Sequence, residues 1–259
     1  MLIDKITDLD YGQIRKKIVS FIKNELKSSK RKGFVIGLSG GLDSSVTTTL
    51  ASEAVGSRLH ALILPSVKVT PVRDIDDAVT LSKKLNVTYD ITDLGYVHSS
   101  LARRLQSGSL ASGNLLARLR MCVLYSYANQ NDLLVLGTSD RSELLTGYFT
   151  KYGDGGADIL PIASLYKVQV RALGRYLKLP DSILTKEIGP RLWKGHTAEE
   201  EIGMPYEEID SILYCIIDLK LSPKKTAQKL GIPLKKVMKI KNMHDNSVHK
   251  REMPKICKL

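Results

Sequence analysis

The sequence predicts an α/β protein: a Rossmann-like doubly wound parallel sheet with helices on both faces and a helical C-terminal part. Three observations predict it. Short apolar runs alternate with helical periodicities between residues 34 and 137, as βαβ units require. Two of these runs stop abruptly at small polar residues followed by a carboxylate. Past residue 137 the alternation gives way to helical patterns and a glycine-rich stretch.

The elements follow in order. Residues 10–28 place Ile14, Ile18, Phe21, Ile22 and Leu26 at helical spacing, and "SSKRKG" ends that helix. "FVIGL" (34–38) reads as a buried strand, and "SSVTTTLASEAV" after the paired glycines reads as a helix. "RLHALIL" (58–64) is a second strand, closed by Pro65. Pro71 opens a helix that runs to residue 85, and "VTYDI" (87–91) is a weaker strand. A helix over 113–130 leads into "DLLVLG" (132–137), the last clear strand. No repeat, linker or low-complexity tract divides the chain, so 1–259 reads as a single domain.

Bulk properties narrow the class. The 39 basic and 27 acidic residues give a net charge of +12, which attracts polyanions but also suits a plain lysine-rich surface. No apolar run reaches the ~18 residues of a membrane span, and the N-terminus lacks a signal-peptide pattern. A cytoplasmic protein with no membrane partner is expected. Cys122, Cys215 and Cys257 are too scattered for a disulfide framework or a zinc site. Cys122, inside an apolar helical pattern, reads as a small core residue.

In an open parallel sheet, ligands bind outside the carboxyl ends of the strands. Ser39–Ser45 and Thr138–Glu143 both start at such ends. In "GLSGGLDSSV", Gly40 and Gly41 permit φ > 0 and close approach to a ligand. The amides of 40–45 would face an anion at the helix start, with Ser39, Ser44 and Ser45 as hydroxyl donors. There is no Gly-Lys-Ser/Thr, so this is not the usual γ-phosphate cradle. Asp43 would repel a bare phosphate and makes sense with Mg²⁺ between the two. A helix N-cap with an acidic first turn is the plain structural alternative.

"SGGLDS" matches the SGGxDS pyrophosphate loop of the ATP pyrophosphatases, which split ATP between its α- and β-phosphates. "GTSDRSELLTGYFTKYGDGGADILPIASLYK" (137–167) resembles the signature of the ammonia-dependent NAD synthetases. "GNLLARLRM" (113–121), "GHTAEEEIG" (195–203) and "HKR" (249–251) are similar to further blocks of that family in the same order. The resemblance spans essentially the whole chain. It implies ATP-dependent amidation of deamido-NAD (nicotinic acid adenine dinucleotide) by ammonia, through an acyl-adenylate, with release of AMP and pyrophosphate. It also implies a homodimer, no nucleic-acid partner and, with 259 residues leaving no room for an amidase domain, ammonia from outside the chain.

The resemblance carries roles onto particular residues. ATP contacts fall on Gly37, Leu38, Ser39, Gly40, Gly41, Leu42, Asp43, Ser44, Thr138, Lys167 and Gly189. Mg²⁺ falls on Asp43 and Glu143, and Asp43 and Lys167 are the residues expected to carry the chemistry. Contacts with deamido-NAD fall on Arg118, Lys151, Asp158, His249 and Lys250. Arg118 and Arg120 lie about 200° apart around a helix, so only one can face the site; the motif selects Arg118 and leaves Arg120 a structural role. The family usually has Ser or Thr where this chain has Gly189, and Arg191 is a candidate replacement contact. Two rivals share the loop. A tRNA-modifying enzyme would ordinarily add catalytic cysteines or a zinc module, and a non-catalytic nucleotide-binding protein would have little use for both Asp43 and Glu143.

Overall fold

The computed structural model describes residues 2–67, 69–187, 189 and 197–258, so Arg191 lies outside the described residues. Four parallel strands form one sheet in the order β3-β2-β1-β4: β1 (Gly33–Gly37), β2 (Leu59–Ile63), β3 (Thr88–Ile91) and β4 (Leu133–Leu136). Helices α1 (Leu2–Thr7) and α2 (Tyr11–Ser29) precede it. Between the strands run α3 (Leu42–Val55), α4 (Val72–Lys84), α5 (Gly95–Arg104) and α6 (Ser109–Asn131). After β4 come α7 (Arg141–Thr146), α8 (Lys167–Tyr176), α9 (Asp181–Leu184), α10 (Ala198–Ile202), α11 (Tyr206–Leu213), α12 (Pro223–Leu230), α13 (Leu234–Asn246) and α14 (Val248–Arg251).

Strand alternation fixes the layers. Phe34 and Ile36 of β1, with Leu59, Ala61 and Ile63 of β2, pack into the core formed with α2, α3 and α4. Val35 and Leu62 point the other way, onto Leu116 and Ala128 of α6. The sheet is therefore covered on both faces, and its central strand is apolar throughout, as a parallel sheet requires. A third core joins Ile6 of α1 to Ile202, Ile209, Ile212, Val237 and Ile240 of the C-terminal helices. Helix α8 ties two cores together: Val168 enters the helical one, while Val170 and Leu173 enter the sheet core.

Up to β4 the expected elements are present with ends shifted by a few residues, and two helices, α1 and α5, are additional to them. Helix α1 is too short to show a period. Helix α5 leaves Val97 and Leu101 exposed, so it lacks a clear buried stripe. Cys122 corrects the sequence reading, because it is exposed and not part of the core. Helix α6 carries apolar residues all round, so periodicity could not tell its sheet-facing side from the other.

Candidate active site

The chain leaves β1 towards β2 and β3 on one side and returns to β4 on the other. The crevice between the carboxyl ends of β1 and β4 is thus a topological switch point. A cavity of about 520 Å³ opens there, lined by the loop after β1, the segment after β4, one side of α6 and the loop before α8.

Of the predicted ATP set, Gly37, Leu38, Ser39, Gly41, Leu42, Asp43, Ser44, Thr138 and Gly189 line this cavity. Gly40 lies beneath the surface of the loop and is buried. Its φ is +73°, and a Cβ on it would lie 2.0 Å from the Asp74 carbonyl oxygen. Gly41 corrects the expectation of a second positive φ: it sits at φ −85° and ψ 168°, as the N-cap of α3. The Ser39 and Ser44 hydroxyls are 3.0 Å apart, Gly41 N–H donates to Ser39 Oγ at 3.2 Å, and Ser44 Oγ donates to the Gly41 carbonyl at 3.1 Å. The two serines brace the loop, and Ser45 is fully buried outside the cavity wall, so it is no hydroxyl donor to the site. What the loop offers an anion is the unpaired first-turn amides of α3.

Lys186 holds the loop from behind. Its Nζ donates to the Gly40 carbonyl at 2.8 Å and pairs with Asp74 at 2.8 Å and Asp77 at 2.7 Å. Three oxygens surround the ammonium, and the Gly40 carbonyl is held towards Lys186.

The second loop builds the electrostatic centre. Asp140 caps α7 by accepting from Glu143 N–H at 2.8 Å, and Glu143 returns a bond to the Asp140 amide at 3.3 Å, a capping box. That pairing puts both carboxylates beside Asp43, with ligand oxygens of all three within 4.8 Å of one another. The fully buried Lys167 Nζ reaches Asp43 at 2.8 Å, Asp140 at 2.8 Å and Glu143 at 2.9 Å. Burial alone would strip the Lys167 proton, but the three carboxylates outweigh it and raise its pKa well above the usual value. Burial likewise pushes Asp140 up to about 6 and raises Glu143 well above the ordinary range, with Lys167 opposing both. Below this hub Ser142 Oγ donates to Asp210 at 2.5 Å and accepts the Lys167 amide at 2.8 Å. Asp210 is pushed up to about 8, chiefly by burial.

These residues suit a divalent cation. The donor set is all carboxylate oxygen, as Mg²⁺ prefers, and Asp43 Oδ1 is buried with no hydrogen-bond partner among the described residues. Asp140 was missed in the sequence. Its signal was the D-x-x-E spacing of "DRSE", which reads first as a helix cap.

The predicted dinucleotide contacts divide. Lys250 lines the cavity, its Nζ donating to the carbonyls of Gly147 at 2.7 Å and Phe149 at 2.8 Å. Arg118, Lys151 and His249 lie off the cavity wall but are linked to one another. Arg118 Nε donates to the Lys151 carbonyl at 3.3 Å, and Lys151 Nζ to the His249 carbonyl. Asp158 also lies outside the wall, accepting from Val135 N–H at 2.7 Å and Tyr125 OH at 3.2 Å. Arg120, read from the sequence as structural, is on the wall, as are Tyr206 and Lys186.

A sequence profile described as NAD synthase matches residues 14–254. The chain is 48% identical to the NH(3)-dependent NAD(+) synthetase of Staphylothermus marinus over 99% of its own length and 95% of that protein's. It is 47% identical to the enzyme of the same name from Hyperthermus butylicus, over 97% of the chain and 92% of the relative. Among solved structures, the NMN synthetase of Francisella tularensis superposes with a TM-score of 0.86 at 36% identity, covering 97% of this chain and all (100%) of that one. The NH3-dependent NAD synthetase of Campylobacter jejuni, solved with a nitrate ion, gives 0.83 at 30% identity, covering 96% and 100%.

Proposed function

The chain belongs to the NAD synthase family, and from that premise we propose that it makes NAD from deamido-NAD, ammonia and ATP. The observation that carries this reading is the meeting of Asp43, Asp140, Glu143 and Lys167 beside the Ser39–Ser44 loop at one mouth of the sheet. In the first step a carboxylate oxygen of the nicotinate attacks the α-phosphorus of ATP. The bond from that phosphorus to the bridging oxygen breaks, and pyrophosphate leaves into the loop. Ammonia then attacks the acyl carbon, the bond to AMP breaks, and the nitrogen sheds a proton.

In this reading the chain's residues mainly align and balance charge. The first-turn amides of α3 take the phosphate oxygens, and Lys167, buried behind the cavity wall, would reach them only by exchanging a carboxylate partner for a phosphate oxygen. Asp43, Asp140 and Glu143 would hold Mg²⁺, which supplies neutralisation of the phosphate charge. We read residues 1–259 as one domain, since α8 enters both the sheet core and the helical core. Cytoplasmic residence completes the proposal.

The test is to supply ATP, Mg²⁺, ammonium and deamido-NAD and to follow AMP and NAD together. Stoichiometric AMP and NAD are expected; ADP, or AMP without the dinucleotide, sinks the reading. Asp43→Ala is expected to lower turnover by about 10²–10³ with an unchanged circular dichroism spectrum. The likeness to an NMN synthetase favours one second reading, in which the mononucleotide acid is the substrate. The same assay with nicotinic acid mononucleotide decides it by the ratio of kcat/KM values.

The proposal includes a homodimer. Val97 and Leu101 of α5, Leu105 just after it and Leu110 of α6 are exposed, with Leu105 63% and Leu110 61% accessible, and Leu110 also edges the cavity. A second copy of the same surface would cover them in an isologous contact. Sedimentation should give twice the chain mass, and Leu105→Glu with Leu110→Glu should halve it. A wild-type monomer at micromolar concentration would refute this.

A further inference from the structure

We propose that Arg120 receives an oxyanion of the pyridine nucleotide substrate. Three observations lead there. Arg120 lines the cavity from α6, with its Nε donating to the Leu64 carbonyl at 3.0 Å, beyond the end of β2. That bond fixes the plane of the guanidinium. Among the described residues Arg120 forms no ion pair and no other hydrogen bond, so its terminal amino groups have no partner, and the residue lines the cavity. Burial pulls its pKa down to about 10, and Asp154 opposes this only through space. The group still carries full charge at neutral pH.

A half-buried cation with unpartnered donors is costly to keep unless a ligand completes it. Its planar fork suits a carboxylate or phosphate, which take two parallel hydrogen bonds. The end of the cavity also matters. Lys167 and Lys186 are each held among three oxygens near the pyrophosphate loop. Arg120 instead shares the charge of Asp154 with Lys250, on the side of the glycine-rich loop 150–156. The anion it meets is therefore distinct from the triphosphate tail.

The inference rests on the proposed function, and two groups of deamido-NAD share the required chemistry, the pyridine carboxylate and the central pyrophosphate. The product differs only in carrying a carboxamide. Calorimetric titration of deamido-NAD and of NAD, without ATP, into wild type and Arg120→Met separates them. Loss of at least tenfold in deamido-NAD affinity with NAD unchanged assigns the carboxylate; equal losses for both assign the pyrophosphate. Arg120→Lys should recover part of the loss, which a general packing defect would not show. Should Arg120→Met fail to fold, Arg120→Gln takes its place. The proposal is overturned if both ligands bind the variant as they bind wild type, or if only an α,β-methylene ATP analogue with Mg²⁺ loses affinity. If deamido-NAD does not bind wild type, the functional reading itself fails.

Discussion

Lys167→Met is expected to abolish measurable turnover and to make the stability of the fold depend on Mg²⁺. Lys167 is fully buried, and its ammonium is the shared counter-charge of Asp43, Asp140 and Glu143. Removing one partner from a buried ion cluster costs about 3–5 kcal/mol, because the remaining charges stay desolvated. Losing the phosphate contact proposed for it adds a rate loss on the order of 10²–10³. A divalent cation presents the same three carboxylates with an alternative counter-charge. Thermal melts in EDTA should therefore fall well below wild type and recover when Mg²⁺ is added. The pH dependence has a definite sign. Asp140 and Glu143 have folded pKa values raised above their unfolded ones by burial, so their contribution is greatest in acid and is lost as pH rises. Without the lysine both pKa values rise further, and the variant should lose more stability than wild type as pH rises from the ordinary carboxylate range through neutrality. A variant as stable as wild type in EDTA at pH 8 would remove Lys167 from the centre of the hub.

The sheet and the pyrophosphate loop were legible because their signals are local. Four apolar runs between helical periods define the strands, and a loop that must turn sharply after β1 needs Gly40 whatever surrounds it. The rest is written in contacts between distant residues. Lys186 is 146 positions from the glycine it holds, and nothing in "TKEIG" announces a partner on α4. Asp140 is the N-cap of α7; that it is also the deepest carboxylate of the hub depends on how distant elements pack. Arg118 and Arg120 could be separated by helical geometry but not ranked. Which side of α6 faces the cavity is decided by packing on the sheet, and α6 is too uniformly apolar to reveal it. Arg118, Lys151 and His249 form a linked cluster off the cavity wall, which the sequence alone could not have distinguished from a cluster inside it.

Gly40→Ala is expected to do far more damage than Gly41→Ala, although the two residues are adjacent and both belong to the loop. At φ +73° an alanine pays the left-handed penalty of about 1–2 kcal/mol. Its Cβ would also stand 2.0 Å from the backbone oxygen of Asp74, which cannot rotate away as a side chain would. Relief requires the loop or the start of α4 to move. Both are joined through Lys186, which contacts the Gly40 carbonyl and the Asp74 carboxylate together, so the shift passes to the whole pyrophosphate seat. A displacement near 1 Å there costs on the order of 10² in rate. The expected result is a fall of about 10² in kcat/KM for ATP, with a lower melting temperature. Gly41 has ordinary dihedrals, and its added Cβ would meet only the Ser39 hydroxyl at 3.2 Å, a group able to turn aside. Its alanine variant should stay within a few-fold of wild type. Equal losses at the two positions would mean that the loop is read by bulk at its surface and not by the backbone turn beneath it. The left-handed residue held by Lys186 would then have no special claim on the chemistry.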